Sequence, residues 1–262
     1  MYNYSNTLYY SMPPSRVKQK ERMSYVKELG SCPACRGEVV HEETPHTGVC
    51  ELCGKEYESW YRCSAGHSIC DICYGRFAFE KLKPYFCIAS KNPWEIFHTL
   101  LDSPDFGMQG CIHYAAVPLC VLLALGNILG IPEDNHTNEK ILKLFAKEID
   151  QIPVSNCRKC SECGIVQVCC ITFGIVLPFL DQKFENKFLI RRFKAEMAEC
   201  MAAIPKSDNP CCKEAAYACL AQLVAFLNRY LDVNLAFPEK PVCKYAKVNP
   251  ACRGADCRYY PK

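Results

Sequence analysis

CPACRGEVVHEETPHTGVCELCGKEYESWYRCSAGHSICDIC, residues 32–73, carries seven cysteines and a histidine at ligand-like spacing. Cys32 and Cys35 form one C-x2-C pair, and Cys50 and Cys53 form another after fourteen intervening residues. A tight turn aims two thiolates at one point, and its backbone N–H groups stabilise the negative sulfurs. Two such turns on adjacent hairpins close a tetrahedron, so these four residues are expected to hold a structural zinc, with iron in a rubredoxin-like site as the chemical alternative. Cys63, His67, Cys70 and Cys73 follow within eleven residues and are expected to form a second site. His67 is either its fourth ligand or a neighbour of it, with Cys87 then free to serve. Metal supplies folding energy that a segment this short cannot draw from a core. With β-prone runs such as Glu38-Val39-Val40, the stretch reads as a small β-rich, zinc-ribbon-like module.

Outward from this module the chain changes character. Residues 1–27 are rich in Tyr, Ser and Asn, then basic at Arg16, Lys18, Lys20 and Arg22, and read as a flexible tail without the apolar core of a signal peptide. The Cys-rich module occupies 28–75, a mainly helical domain 76–240, and a Cys-containing C-terminal tail 241–262. The expected fold class is α+β: the small β module followed by the helical domain. Trp94, Phe97, Leu100 and Leu101 predict a short helix. Apolar spacing predicts three more, through Ile141, Leu142, Phe145, Ile149 and Ile152; through Leu189, Phe193, Met197, Cys200, Met201 and Ile204; and through Ala216, Cys219, Leu220, Leu223, Phe226, Leu227 and Tyr230. Cys87, Cys120, Cys200 and Cys219 fall among apolar residues and are assigned to packing.

Half of the 262 residues are apolar and 23% are charged, which marks a globular chain. The excess of 31 basic over 28 acidic residues is too small to point to bulk nucleic-acid binding. The 22 cysteines sit mostly at ligand spacings, which favours metals in a reducing, cytoplasmic setting over a secreted disulfide scaffold. Tyr114–Ile131 and Gly164–Leu180 are uncharged, but Pro118, Asn127, Gln167 and Pro178 make them buried helices rather than stable membrane insertions.

The helical domain has its own cysteine pattern. Cys157, Cys160 and Cys163 spell C-x2-C-x2-C, the opening of a ferredoxin-type iron–sulfur motif, but Gln167 stands where the next cysteine belongs. A fourth ligand would come from Cys169, Cys170 or a remote cysteine. Cys163 precedes an apolar helix, Asn209-Pro210 starts another just before Cys211 and Cys212, and Gly110-Cys111-Ile112-His113 opens a third. A helix N-terminus lowers a thiol's pKa. These three starts are expected to converge on one anionic cofactor or metal cluster, with Cys157, Cys160, Cys163, Cys211 and Cys212 as ligands and Cys111, His113, Cys170, Cys243, Cys252 and Cys257 facing the cofactor or lying just behind it.

From about residue 32 to 257 the chain resembles the prokaryotic family called domain of unknown function 5714. The resemblance rests on Gly66, His67, Cys70 and Cys73; on Met108-Gln109-Gly110-Cys111-Ile112-His113-Tyr114; on Cys163-Gly164 with the helix to Leu180; and on Cys211-Cys212-Lys213-Glu214. It implies no settled activity, though relatives fused or adjacent to methyltransferases hint at cofactor chemistry. Where the family's second motif has Met-His-Gly-Pro-Glu-His-His, only His113 keeps its histidine, Ile112 replaces Glu and Cys111 replaces Pro. The segment Cys63–Cys73 also resembles the middle of a RING finger preceded by Cys50 and Cys53, which would imply an E3 ubiquitin ligase. That pattern needs a closing C-x2-C pair, and the chain offers Cys87 followed by Ser90.

No Gly-rich phosphate loop, nucleophile elbow or H-E-x-x-H helix stands out. The leading expectation is a metal-binding protein with a zinc module and an iron–sulfur cluster, such as 4Fe-4S, or a second metal in the helical domain, serving redox, sulfur-transfer or methyltransferase-associated chemistry with a methyltransferase or redox protein as partner. The alternative is a non-catalytic zinc-binding interaction module, with Tyr57, Trp60, Tyr61 and Arg62 between the two sites to anchor a protein or stack on a base. A thiol enzyme using Cys163 or Cys211 is the third.

Overall fold

Val39–Val49 (β1) and Glu56–Cys63 (β2) pair as an antiparallel hairpin, with Val39 opposite Cys63 and Val49 opposite Glu56. The register shifts between His41 and His46, so the ladder carries an irregularity there. The molecule is seen as a computed structural model that describes residues 32–103, 106, 112–130, 147, 163–180, 186–204, 211–249 and 251–262. After the hairpin all regular structure described is helical: α1 (Asp71–Glu80), α2 (Pro93–Leu101), α3 (Ile112–Ile128), α4 (Gly164–Leu180), α5 (Asn186–Ala202) and α6 (Cys212–Leu231). The fold is therefore the α+β arrangement expected, a small β region followed by a mostly helical one.

The short helix predicted around Trp94 forms as α2. Asn92 caps it, its Oδ1 accepting from the Trp94 N–H at 3.0 Å, and Pro93 takes the first helical position. α3 is the central element. Every residue from Ile112 to Gly126 is buried, because α2, α4 and α6 all pack against it. A helix enclosed on all sides is apolar all round, and that is why this segment mimics a membrane span in sequence. Among the described residues no helix is long and apolar enough to cross a membrane. Asn127, the polar residue near the end of α3, donates from Nδ2 to the carbonyls of Ile88 and Ser90, each at 2.8 Å. It ties the connector that leads from the hairpin to the helical core.

The predicted 3.6-residue periodicity meets itself at one aromatic knot. Phe173 of α4 stacks on Phe193 of α5 with centroids 4.6 Å apart, and Phe226 of α6 meets both edge-on at 5.1 and 5.0 Å. Such contacts add roughly 0.5–1.5 kcal/mol per pair beyond the apolar burial. Beside the knot, Glu196 of α5 accepts from Arg192 Nε and Gln222 Nε2, both at 2.8 Å, so the buried carboxylate also fastens α5 to α6. Cys120 and Cys219 are fully buried, as assigned, and half-buried Cys200 donates to the Ala218 carbonyl. Cys87 corrects its assignment to packing. It is exposed after a single 3-10 turn, where its thiol reaches only the Pro84 carbonyl at 3.5 Å. The predicted helix through Ile141 to Ile152 lies outside the described residues.

Residues 241–262 fold back onto the helices. The Cys243 N–H donates to the Tyr259 carbonyl at 2.7 Å, and Asp102 at the end of α2 accepts from both Lys244 and Tyr245. His98 of α2 stacks between Tyr217 and Tyr245. Burial, aided by the nearby Lys244 charge, pulls its pKa down from 6.5 to about 4.

Two outcomes follow for stability. Phe193→Ala should cost about 3–5 kcal/mol in denaturant unfolding, whereas Phe188→Ala, on the 62% exposed face of the same helix, should change it by less than about 0.5 kcal/mol. His98 must be neutral in the folded chain. Its contribution should be flat above pH 6.5 and should be lost progressively as pH falls from 6.5 towards 4, because the unfolded chain then binds a proton that the folded chain refuses. A pH series of melting curves on the parent and His98→Gln checks this: the variant should lose less stability over that window.

Candidate metal centre

The first two cysteine pairs adopt one backbone design. In the first, the Cys32 N–H donates to the Gly37 carbonyl and the Arg36 N–H to the Cys32 carbonyl, both at 2.8 Å. In the second, the Cys50 N–H donates to the Lys55 carbonyl at 2.9 Å and the Gly54 N–H to the Cys50 carbonyl at 2.8 Å. The fifth residue of each loop, Arg36 or Gly54, has φ of 63° or 68°. A positive φ is costly for arginine and free for glycine. Arg36 holds it while its guanidinium lies 4.4 Å over the Phe77 ring of α1.

The hairpin then decides which pairs meet. β1 leads from the first knuckle to the second, and β2 returns, so Cys63 lands beside the first knuckle. The Ser64 N–H extends that ladder onto the Glu38 carbonyl at 2.9 Å. Cys35 Sγ stands 3.5 Å from Cys63 Sγ, and Cys63 Sγ stands 3.5 Å from His67 Nδ1. The chain next turns to the second knuckle, where Glu51 and Ser68 exchange two bonds of 2.9 Å, N–H to carbonyl and N–H to Oε1. This sets Cys70 Sγ 3.8 Å from Cys53 Sγ, just before α1, with Cys73 in that helix's first turn.

Two sets of four result: Cys32, Cys35, Cys63 and His67; and Cys50, Cys53, Cys70 and Cys73. Within each set the ligand atoms lie within 4.8 Å of one another, and either set could hold a metal ion. Metal–sulfur bonds of about 2.3 Å around a tetrahedron give sulfur–sulfur edges of about 3.8 Å, close to the 3.5 and 3.8 Å seen. The expected consecutive pairing, Cys32/35 with Cys50/53 and Cys63/His67 with Cys70/73, is corrected. The pairs interleave, because the antiparallel return of β2 places the third beside the first. His67 lies within the first set, and exposed Cys87 belongs to neither. The two sets close within Cys32–Cys73, without the terminal pair that a RING pattern seeks at Cys87 and Ser90.

Electrostatics suit a cation. Burial opposes ionisation of Cys63, but His67, the Ala65 N–H and Cys35 outweigh it and hold the thiol at about 6; the same contact raises the His67 pKa. Burial likewise opposes ionisation of Cys50, and the N–H groups of Cys70, Cys53 and Leu52 bring it to about 7. Burial, with the neighbouring thiols, drives Cys73 up. A dication placed among these sulfurs would favour their ionised forms.

Cys111, Cys157 and Cys160 lie outside the described residues. Cys163 sits half-buried at the start of α4, and Cys211 is the N-cap of α6, with Cys212 following it. The described residues do join two of the three helix starts: buried Lys213 of α6 places Nζ 3.3 Å from Nε2 of buried His113 of α3. Cys169 is fully buried and Cys170 is half-buried in α4, where burial raises Cys170 to about 11. Cys243, Cys252 and Cys257 gather near Cys211 on one small cavity. Tyr57 is committed within the hairpin, its hydroxyl 3.2 Å from His46 Nε2, and Arg62 pairs with Glu42 at 3.5 Å. The side chains of Trp60 and Tyr61 lie outside the described residues. Sequence reasoning missed Lys213, Asn249 and the Glu214–Arg253 pair; the signal for Lys213 was a lysine directly after Cys211-Cys212 at a helix start.

Residues 84–260 match the family of unknown function DUF5714. The match spans α2 to α6 and the C-terminal segment but leaves out the two metal sets, which corrects the expectation that the resemblance starts near residue 32. No curated protein and no solved structure matches the chain.

Interleaving is directly measurable. In cadmium-substituted protein, one 113Cd resonance should correlate with the β-protons of Cys32, Cys35 and Cys63, and the other with those of Cys50, Cys53, Cys70 and Cys73. A cross-peak set that couples Cys32 and Cys50 to one ion would restore consecutive pairing.

Proposed function

We propose that the chain, which belongs to the DUF5714 family, is a zinc protein whose first module is a closed structural unit that serves as an interaction head for the helical domain. The observation that carries this reading is the pair of complete four-ligand sets. Structural zinc sites are four-coordinate and filled by protein, whereas catalytic zinc keeps a position open for water. Seven thiolates and one imidazole suit zinc, and the near-tetrahedral spacing agrees with it. The fold of so small a hairpin would then depend on the ions. Its surface supports a partner role: Val49 and Leu52, at the second knuckle, are 57% and 52% exposed. Reduced thiolates fit a cytoplasmic setting, since an oxidising one would draw them into disulfides.

A role in redox, sulfur transfer or methyltransferase-associated chemistry requires a cluster on Cys157, Cys160 and Cys163, with Cys211 or Cys212 to complete it. Metal and acid-labile sulfide, measured per chain after purification without oxygen, separate the two readings. Zinc without iron or sulfide is expected, and Cys63→Ser and Cys70→Ser should each remove about one ion. About four irons and four sulfides, lost in Cys160→Ser, would replace the interaction reading with cluster chemistry.

A further inference from the structure

The C-terminal segment brings three cysteines against the start of α6. Cys243, Cys252 and Cys257 line one cavity with Cys211, the N-cap of that helix. The cavity holds about 10 Å³, the room of a single water or ion. The electrostatic neighbourhoods interlock around it: Cys211 feels Cys243, Cys243 feels Cys252, and Cys257 feels Cys211.

Two of these sulfurs accept hydrogen bonds. Asn249, itself buried, donates from Nδ2 to Cys211 Sγ at 3.1 Å, while its Oδ1 accepts from the Ala251 N–H at 3.1 Å. The second bond fixes which end of the amide faces the sulfur. The Gly254 N–H donates to Cys252 Sγ at 3.4 Å, with Gly254 at φ 60°. This repeats the device of the hairpin module, where the Gly37 N–H donates to Cys35 Sγ at 3.3 Å and the Ala65 N–H to Cys63 Sγ at 3.4 Å. In all three, the N–H two residues beyond a cysteine is turned back onto its sulfur.

Charge is arranged to match. Burial pushes the Cys211 thiol up, and the backbone N–H groups of Glu214 and Lys213 at the helix start work against that rise. Burial likewise raises the Cys243 pKa, and buried Lys213 is among the groups that oppose it. Glu214, the nearest carboxylate, is taken up by Arg253, which donates to it from both Nε at 3.1 Å and an Nη at 2.5 Å. The acid is thereby neutralised at the rim, and the cavity is left to sulfur ligands.

We propose that Cys211, Cys243, Cys252 and Cys257 form a third metal site, which takes one thiophilic divalent cation, zinc by its size and ligand softness, and clips the C-terminal segment to the start of α6. No three of these sulfurs lie within 4.8 Å of one another, unlike the hairpin sets. One ion therefore draws them inward, and the thiols release their protons to solvent as it binds. The proposal extends the zinc reading to the helical part, yet it stands on residues that the hairpin sets do not use.

The test uses the full chain, reduced and supplied with zinc. Native mass spectrometry should find about three ions per chain. Cys252→Ser with Cys257→Ser should lower this to about two, with the hairpin ions retained, and Cys63→Ser should instead remove an ion from the hairpin. An unchanged ion count in the Cys252/Cys257 variant overturns the third site, whatever the hairpin variants show. A parent-protein measurement guards against misfolding of that variant. Iodoacetamide labelling, mapped by peptide before and after chelation, should show Cys211, Cys243, Cys252 and Cys257 becoming more reactive when zinc is removed, with exposed Cys87 labelled throughout. Labelling of these four that does not change on chelation overturns the proposal.

Discussion

The pairing of Val39 with Cys63 is the constraint from which the first module follows. Once β2 returns antiparallel along β1, the third ligand pair lies beside the first, and the segment after it has only the second knuckle left to join. Each four-ligand set is thus assembled from parts distant in the chain. A metal that joins residues far apart in sequence restrains a large unfolded loop, and two interleaved ions restrain overlapping loops. Interleaved ligand sets thus tie together a short two-stranded ribbon that is marginal on its own.

In the helical part the corresponding anchor is the start of α6. Four consecutive residues there have four different tasks. Cys211 caps the helix, Cys212 begins it, Lys213 reaches His113 of α3, and Glu214 receives Arg253 of the C-terminal segment. Lys213 is buried, and a buried ammonium is costly unless it is held by partners. His113 and the face of the Tyr245 ring, 5.3 Å away, both receive it. The family match covers this whole arrangement and leaves the hairpin module aside. The helical core with its C-terminal clasp is therefore the part that the family model describes.

The local parts of this molecule were legible in its sequence, and the long-range parts were not. Cys32-x2-Cys35 and Cys50-x2-Cys53 are turns of a few residues, so spacing alone revealed them. Which turns would share an ion depends on a strand register that lies outside any one motif, and consecutive pairing was the natural but mistaken reading. Periodicity placed Phe193 and Phe226 on inward faces because a helix repeats every 3.6 residues. It failed at Cys87, whose apolar neighbours in sequence belong to a short turn that leaves the thiol in water. Cys243, Cys252 and Cys257 have no compact spacing. The sequence reading set them beside the Cys211 ligand group without a geometry, which comes from the tail folding back through Lys244 and Tyr245 onto Asp102.

Helix starts carried a true signal for a reason different from the one first drawn. A thiol at such a position meets free N–H groups, and that favours a thiolate whatever the thiolate is used for. Convergence of three starts on one large cluster needs a common space among α3, α4 and α6. Among the described residues α3 meets α6 through His113 and Lys213, while Cys111, Cys157 and Cys160 lie outside them. The N-cap thiol of α6 accepts from the Asn249 amide and lines, with three further cysteines, a small cavity at the C-terminal segment. The thiol at that N-terminus thus has its polar partners close by, in Asn249 and the N–H groups of its own helix, within a sulfur set that the chain's own tail completes.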